Sequence, residues 1–447
     1  MLTFIVVVFV VGYVAIALEH RLHINKAASA LTIGALCWAI YAVGVGSLLP
    51  LASVPAEFVA EMVASGVPLA DVPRTYLVEG QFSQLVAETA SILFFLMGAM
   101  TIVELVDAHE GFSLITRRIS ARRKVTLLWI IAWLTFFVSA VLDNLTTTIV
   151  MLSLLRKVLP DRDSRLFFAG IVVIAANAGG AWTVIGDVTT TMLWIRQKIG
   201  TIDVMRELFL PSVVCLLLPL LAVGPFLRGH LPPVEAPDSD ERDGGIKTWH
   251  RALFLVLGLL GLLSVPIFKA VTHLPPFVGM MLSLAILWIV SELVDQTLDE
   301  SLQSTTGVVA VLKRVDMSTI LFFLGILLAV GSLSATGVLG GLAAALDARL
   351  PGRDAIAFVI GLVSAIVDNV PLVAAGIEMY DLPQNDRFWM FLAYCAGTGG
   401  SCLVIGSAAG VAAMGIAKID FLWYARRIAP LALLGYVGGA GVFLLMN

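Results

Sequence analysis

Charge is what this chain lacks most. Of 447 residues only 13% are Asp, Glu, Lys or Arg, while 59% are hydrophobic. A soluble domain carries roughly 25% charged residues. The mean hydropathy of +0.97 points the same way. The shortage excludes a soluble globular protein and makes the chain a polytopic membrane protein. The net charge is −4, and no long Lys/Arg block is present, which excludes a nucleic-acid partner. Cysteine is also scarce. Cys37, Cys215, Cys395 and Cys402 all lie in apolar segments without a C-x-x-C spacing, and read as small buried residues. The six histidines (His20, His23, His109, His230, His250 and His273) lie in or near connecting segments and form no metal-ligand pattern, and His20, His23 and His109 are expected at the surface rather than as pH sensors. No H-E-x-x-H or nucleophile–base pair is present, so neither an enzyme nor a cofactor is expected. The first 18 residues lack a basic n-region and a cleavage site before Glu19, and read as a first span rather than a signal peptide. Without an Arg/Ser-rich transit segment, a bacterial cytoplasmic membrane is expected.

What is present is a set of apolar segments, two of which contain carboxylates. VSAVLDN at 138–144 places Asp143 and Asn144 in an apolar stretch, and VSAIVDN at 363–369 repeats the phrase with Asp368 and Asn369. A carboxylate at membrane depth is costly and marks an ion or proton pathway by default. Two further pairs keep the same order: ETASILFF at 88–95 with DMSTILFF at 316–323, and NAGGAWTVIGD at 177–187 with GTGGSCLVIGS at 397–407. The offsets are 228, 225 and 220 residues, so the chain contains a duplicated unit.

The segment 126–155 is too long for one untilted span. Arg117, Arg118, Arg122, Arg123 and Lys124 precede it, and Arg156, Lys157, Arg162 and Arg165 follow it. Basic flanks on both sides place both ends in the cytoplasm, so the segment is expected to be a re-entrant hairpin. The flanks of 355–378 hold five acidic and three basic residues, which places that hairpin outside. The expected fold is all-α: an inverted-repeat transporter with two re-entrant hairpins, two Gly-interrupted spans at 166–195 and 387–417, and about ten full spans, both termini outside. Its divisions are an N-terminal scaffold (1–87), repeat 1 (88–228), a cytoplasmic linker (229–248), scaffold spans with a polar connection (249–315) and repeat 2 (316–447). Pro50, Pro55, Pro68 and Pro73 mark an external connection.

Adjacent glycines, Gly179–Gly180 and Gly399–Gly400, are expected to break their helices and free polar backbone for an ion. Close helix packing is the competing use of such glycines. The candidate cation and proton ligands are Asp143, Asn144, Thr146, Asp187, Asp368 and Asn369. Ser139, Thr147, Asn177, Ser364, Thr398, Ser401, Ser407 and Glu88 are supporting polar residues. Asn144 and Asn369 are alternatively helix caps. Asp187 in one half is answered by Ser407 in the other, so the halves are not equivalent. A carboxylate that accepts either a proton or a metal cation is sufficient for antiport.

These strings resemble the NhaD-type sodium/proton antiporters of the ion transporter superfamily. The likeness rests on FFVSAVLDNLTTTIVMLSLLRK at 136–157, ANAGGAWTVIGDVTTTMLW at 176–194, SAIVDNVPLVAAGIEMY at 364–380 and GTGGSCLVIGSAAGVAAMG at 397–415. It implies exchange of Na⁺ or Li⁺ for H⁺ across the bilayer, with Na⁺ held at the polar site and a dimeric assembly. The alternative is a sodium-coupled di- or tricarboxylate symporter of the same superfamily. Asp at both hairpin tips argues against an anionic substrate.

Overall fold

The computed structural model describes residues 1–17, 19–116, 123–159, 161–225, 227, 229, 246–296 and 300–446. Among these residues the chain is helical throughout, with no strand. Eight helices are long and apolar enough to cross a membrane, or nine if the bent pair Ala408–Ala417 and Phe421–Arg427 counts as one span. Ten were expected. The first apolar segment forms the helix Leu2–Ala17, whose 16 residues fall short. The segment 387–417 divides into helices of 13 and 10 residues, so it does not qualify as one helix either. Arg117, Arg118 and Arg122, and the linker residues 230–245 with Arg242, lie outside the described residues, so the charge flanks they supply have no structural account.

The chain packs as two compact units, each drawing on both halves of the sequence. One comprises Met1–Phe94, Asp316–Pro351 and Ala374–Asp381. Its centre is the packing of Lys26–Val43 on Met317–Ala335. Gly34 and Gly325 lie at that crossing, and a Cβ on Gly325 would meet the backbone of Ala30 and Leu31. Small residues thus let two apolar helices approach closely. The Trp38 indole N–H donates to the Leu328 carbonyl at 2.8 Å, so its one polar atom is satisfied.

The other unit comprises Phe95–Val315, Gly352–Val373 and Leu382–Asn447. Its central helix, Arg162–Ala181, is the most deeply buried of the candidate spans among the described residues. It packs against Lys124–Ser139, Asn144–Val158, Thr201–Val223, Arg387–Gly399 and Ala408–Ala417. A helix apolar on every side and buried on every side is a core element. The four cysteines are buried, as their apolar settings suggest. His109 corrects the expectation that it lies at the surface. His109 is fully buried, stacked on Phe254 with ring centres 3.4 Å apart, and His250 is also buried. Both lie at helix ends, and His109 Nε2 is 3.4 Å from Asp295 Oδ1.

Candidate functional site

Each matched VSA-x-x-DN phrase folds as two short helices joined at the carboxylate. Lys124–Ser139 and Asn144–Val158 have 16 and 15 residues, and Arg353–Val363 and Asn369–Met379 have 11 each. At 1.5 Å per residue none spans a hydrocarbon core of about 30 Å. Asp143 is the N-cap of its second helix. Its Oδ1 accepts from the Thr146 N–H at 2.8 Å and its Oδ2 from the Thr146 hydroxyl at 2.7 Å. Asp368 accepts from the Val370 N–H at 3.3 Å. The aspartates therefore do the capping, not the neighbouring asparagines. Asn144 and Asn369 are both buried, and Asn144 is turned to another task.

The interrupted spans provide that task. Arg162–Ala181 stops before Trp182, and a new helix, Val188–Ile195, begins after Asp187. Arg387–Gly399 is likewise followed by Ala408–Ala417, which begins after Ser407. The glycines were expected at the breaks, but Gly179 and Gly180 remain helical and the interruption follows them. They serve close approach instead. A Cβ on Gly179 would meet the Phe136 backbone, and one on Gly180 the Gly186 carbonyl. Gly399 is the last helical residue and Gly400 the C-cap, and a Cβ on Gly399 would meet the Gly361 backbone. Each break therefore sits directly beyond a close contact with its short-helix pair.

Serines tie the pairs to these spans. Ser139 donates to the Ala176 carbonyl at 2.6 Å, and Ser364 reaches the Ala396 carbonyl at 3.3 Å. Thr183, which sequence reasoning missed, donates to the Ala140 carbonyl at 2.6 Å and accepts from the Gly186 N–H at 3.0 Å. It lies inside the GGAWTVIGD string, but its partner in the second half is Leu403, so the repeat gives no signal for it.

A buried chain of side chains joins these elements. Asn144 Nδ2 donates to Asn177 Oδ1 at 2.9 Å and to Asp187 Oδ2 at 3.2 Å. Asn177 Nδ2 donates in turn to Ser401 Oγ at 2.8 Å and Ser407 Oγ at 2.9 Å. Asn177 thus bridges the two interrupted spans. Asp187 is 2% exposed, and its Oδ1 accepts from the Thr189 N–H at 3.0 Å. Among the described residues no basic side chain forms an ion pair with Asp187 or Asp143. Asp143 and Asp368 both lie within electrostatic range of Asp187. Thr147 is on the same helix face as Asn144, and its buried hydroxyl has no hydrogen-bond partner among the described residues.

Two supporting residues fall elsewhere. Thr398 donates to the Tyr394 carbonyl of its own helix at 2.6 Å. Glu88 belongs to the other unit, where it accepts from Gln84 at 3.1 Å. Among the described residues no group of three or more His, Cys, Asp or Glu is arranged to hold a metal. The arrangement instead sets neutral side-chain oxygens and amides around the buried Asp187 carboxylate, with two further carboxylates, Asp143 and Asp368, in electrostatic range.

The sequence matches the CitMHS family, described as citrate transporter, over residues 6–382. It is 45% identical to sodium/proton antiporter 1 of Arabidopsis thaliana over 98% of this chain and 71% of the relative. It is 40% identical to sodium/proton antiporter 2 of the same plant, covering 98% of both. The Na⁺/H⁺ antiporter NhaD of Vibrio cholerae is 32% identical over 98% of this chain and 91% of its own length.

Proposed function

The chain belongs to the NhaD-type sodium/proton antiporter family, and on that premise we propose that it exchanges Na⁺ for H⁺ across a membrane by alternating access. The observation that carries the proposal is the buried, unpaired carboxylate of Asp187, held by Asn144 and the Thr189 N–H. Burial disfavours the charged form of a carboxylate unless a proton or a cation accompanies it. Na⁺ and H⁺ therefore compete for Asp187. Asn144 Oδ1 and Thr147 Oγ1 complete the oxygen set, and Li⁺ uses the same ligands.

The helix ends support one bound charge. Four helices begin directly after Asp143, Asp187, Asp368 and Ser407. Each N-terminus contributes roughly +0.5 charge, about +2 in all, against three carboxylates. The balance is about −1, which one Na⁺ or one proton neutralises. The site then changes sides only when occupied. The opposite charge flanks of the short-helix pairs support re-entrant hairpins and an inverted repeat, with the ion site between the two halves. We place the protein in a bacterial cytoplasmic membrane with both termini outside.

The family description, citrate transporter, favours a second reading as a sodium-coupled carboxylate symporter. Three carboxylates at the site oppose an anionic substrate. Everted vesicles with a pH-sensitive dye and a prior acid load decide between them. Alkalinisation of the lumen on NaCl or LiCl, absent with KCl, is the expected result. No response to chloride salts, with uptake of labelled succinate or citrate, would replace antiport by symport.

A further inference from the structure

The two half-helices that begin at Asp187 and Ser407 are each held at the far end by a basic side chain from another helix. Val188–Ile195 closes on Trp194, whose carbonyl accepts from Lys269 Nζ at 3.1 Å. The same ammonium lies 4.4 Å from the centre of the Trp194 ring. That ring is buried and packs edge-on against Phe95, with centres 6.2 Å apart. In the other half, Ala408–Ala417 closes on Ile416, whose carbonyl accepts from Arg156 Nη2. Lys269 belongs to Thr248–Thr272 and Arg156 to Asn144–Val158. Neither residue is part of a break, and neither touches the site.

The C-terminal carbonyls of a helix carry partial negative charge, so a cation there is favourable, most of all when partly buried. An eight-residue helix is only about 12 Å long, and its hydrogen bonds make it move as one body. A shift at Trp194 is then felt at Asp187. We propose that Lys269 and Arg156 are positioning residues. Each clamps the C-terminal end of a half-helix and thereby sets where the N-terminal residue, Asp187 or Ser407, meets the ion. The inference rests on the antiport reading given above. Lys269 is half-buried and also engages the indole face, whereas Arg156 is exposed, so Lys269 is the stronger clamp.

The test uses the full chain in everted vesicles, with half-saturating Na⁺ and maximal rate measured across pH for Lys269→Met, Lys269→Arg, Arg156→Met and Arg156→Lys. For Lys269→Met, half-saturating Na⁺ is expected to rise roughly threefold to tenfold, the range of a partly buried helix-end cation. The maximal rate should change less, and the pH profile should move with the affinity. Lys269→Arg should recover most of the loss, and Arg156→Met should show the same pattern at about threefold or less. Unchanged half-saturation and pH profile in both Met variants would overturn the clamp. So would a fall in maximal rate alone, which marks a merely structural role. If Lys269→Met does not reach the membrane, purified Lys269→Gln is assayed by the thermal shift that NaCl induces. An undiminished shift there overturns the proposal and a weakened one supports it. Wild-type vesicles without Na⁺-driven exchange would instead refute the antiport reading itself.

Discussion

The two interrupted spans begin alike and break differently. At their outer ends both are capped by aspartate: Asp161 accepts from the Ser164 N–H at 3.0 Å, and Asp386 from the Phe388 N–H at 2.9 Å. At the interior breaks the caps diverge. Asp187 starts one half-helix and Ser407 the other, the latter accepting from the Gly410 N–H at 3.2 Å. Serine and aspartate cap a helix about equally well, so capping does not require the charge. Buried aspartate adds a site that must hold a proton or a cation, and buried serine adds only oxygen. On the proposed antiport, the first break carries the ion chemistry, while the second supplies shape and neutral ligands. Asn177 makes the two one site by donating to Ser401 and Ser407 while accepting from Asn144.

The largest expected effect breaks this contrast at its source. Asp187→Ser keeps a cap but removes the charge, making the two breaks alike, and Na⁺-driven exchange in vesicles should fall more than about tenfold, or ~1.4 kcal/mol. Ser407→Ala should retain exchange with weaker Na⁺ dependence. Next comes Asn177→Ala, which removes the bridge and strands buried polar partners. A loss on the order of 2 kcal/mol of stability is expected, read as a lower melting temperature in detergent. Third, Asp143→Asn keeps the cap, so insertion and melting temperature should hold while half-saturating Na⁺ rises. Asp143→Ala should lose about 1 kcal/mol of stability in addition.

The smallest effect sharpens the contrast from outside. The Ser164 hydroxyl and N–H, with Lys124, hold the Asp161 carboxyl below its ordinary value. A lowered folded-state value contributes stability that is complete above the unfolded carboxylate range, near about 4. That contribution is lost as pH falls through the folded value. Asp161→Asn should therefore leave exchange unchanged. Its small deficit in melting temperature at neutral pH should vanish in acid.

Much of the site was legible because the polar residues stand out in apolar strings. Asn144, Asn177, Asp187, Ser401 and Ser407 all came from those strings, and they form one hydrogen-bonded chain. The roles within each DN pair were not legible, because Asp and Asn are both good caps. Only the fold shows Asp143 occupied by Thr146 and Asn144 reaching Asp187. Glycine is equally ambiguous, and Gly179 and Gly180 proved to be contact points within a helix rather than its end. Glu88 matched Asp316 in the repeat, yet it sits in a different compact unit from Asp187. The Lys269 and Arg156 contacts join residues 75 and 260 positions apart, which no local pattern reveals.

The most direct test of competition at Asp187 is proton release from purified protein in weakly buffered detergent as NaCl is added. Protons are expected to be released by NaCl and not by KCl, with release lost in Asp187→Asn. Undiminished release from Asp187→Asn, or none from a wild type that exchanges Na⁺ in vesicles, would contradict it.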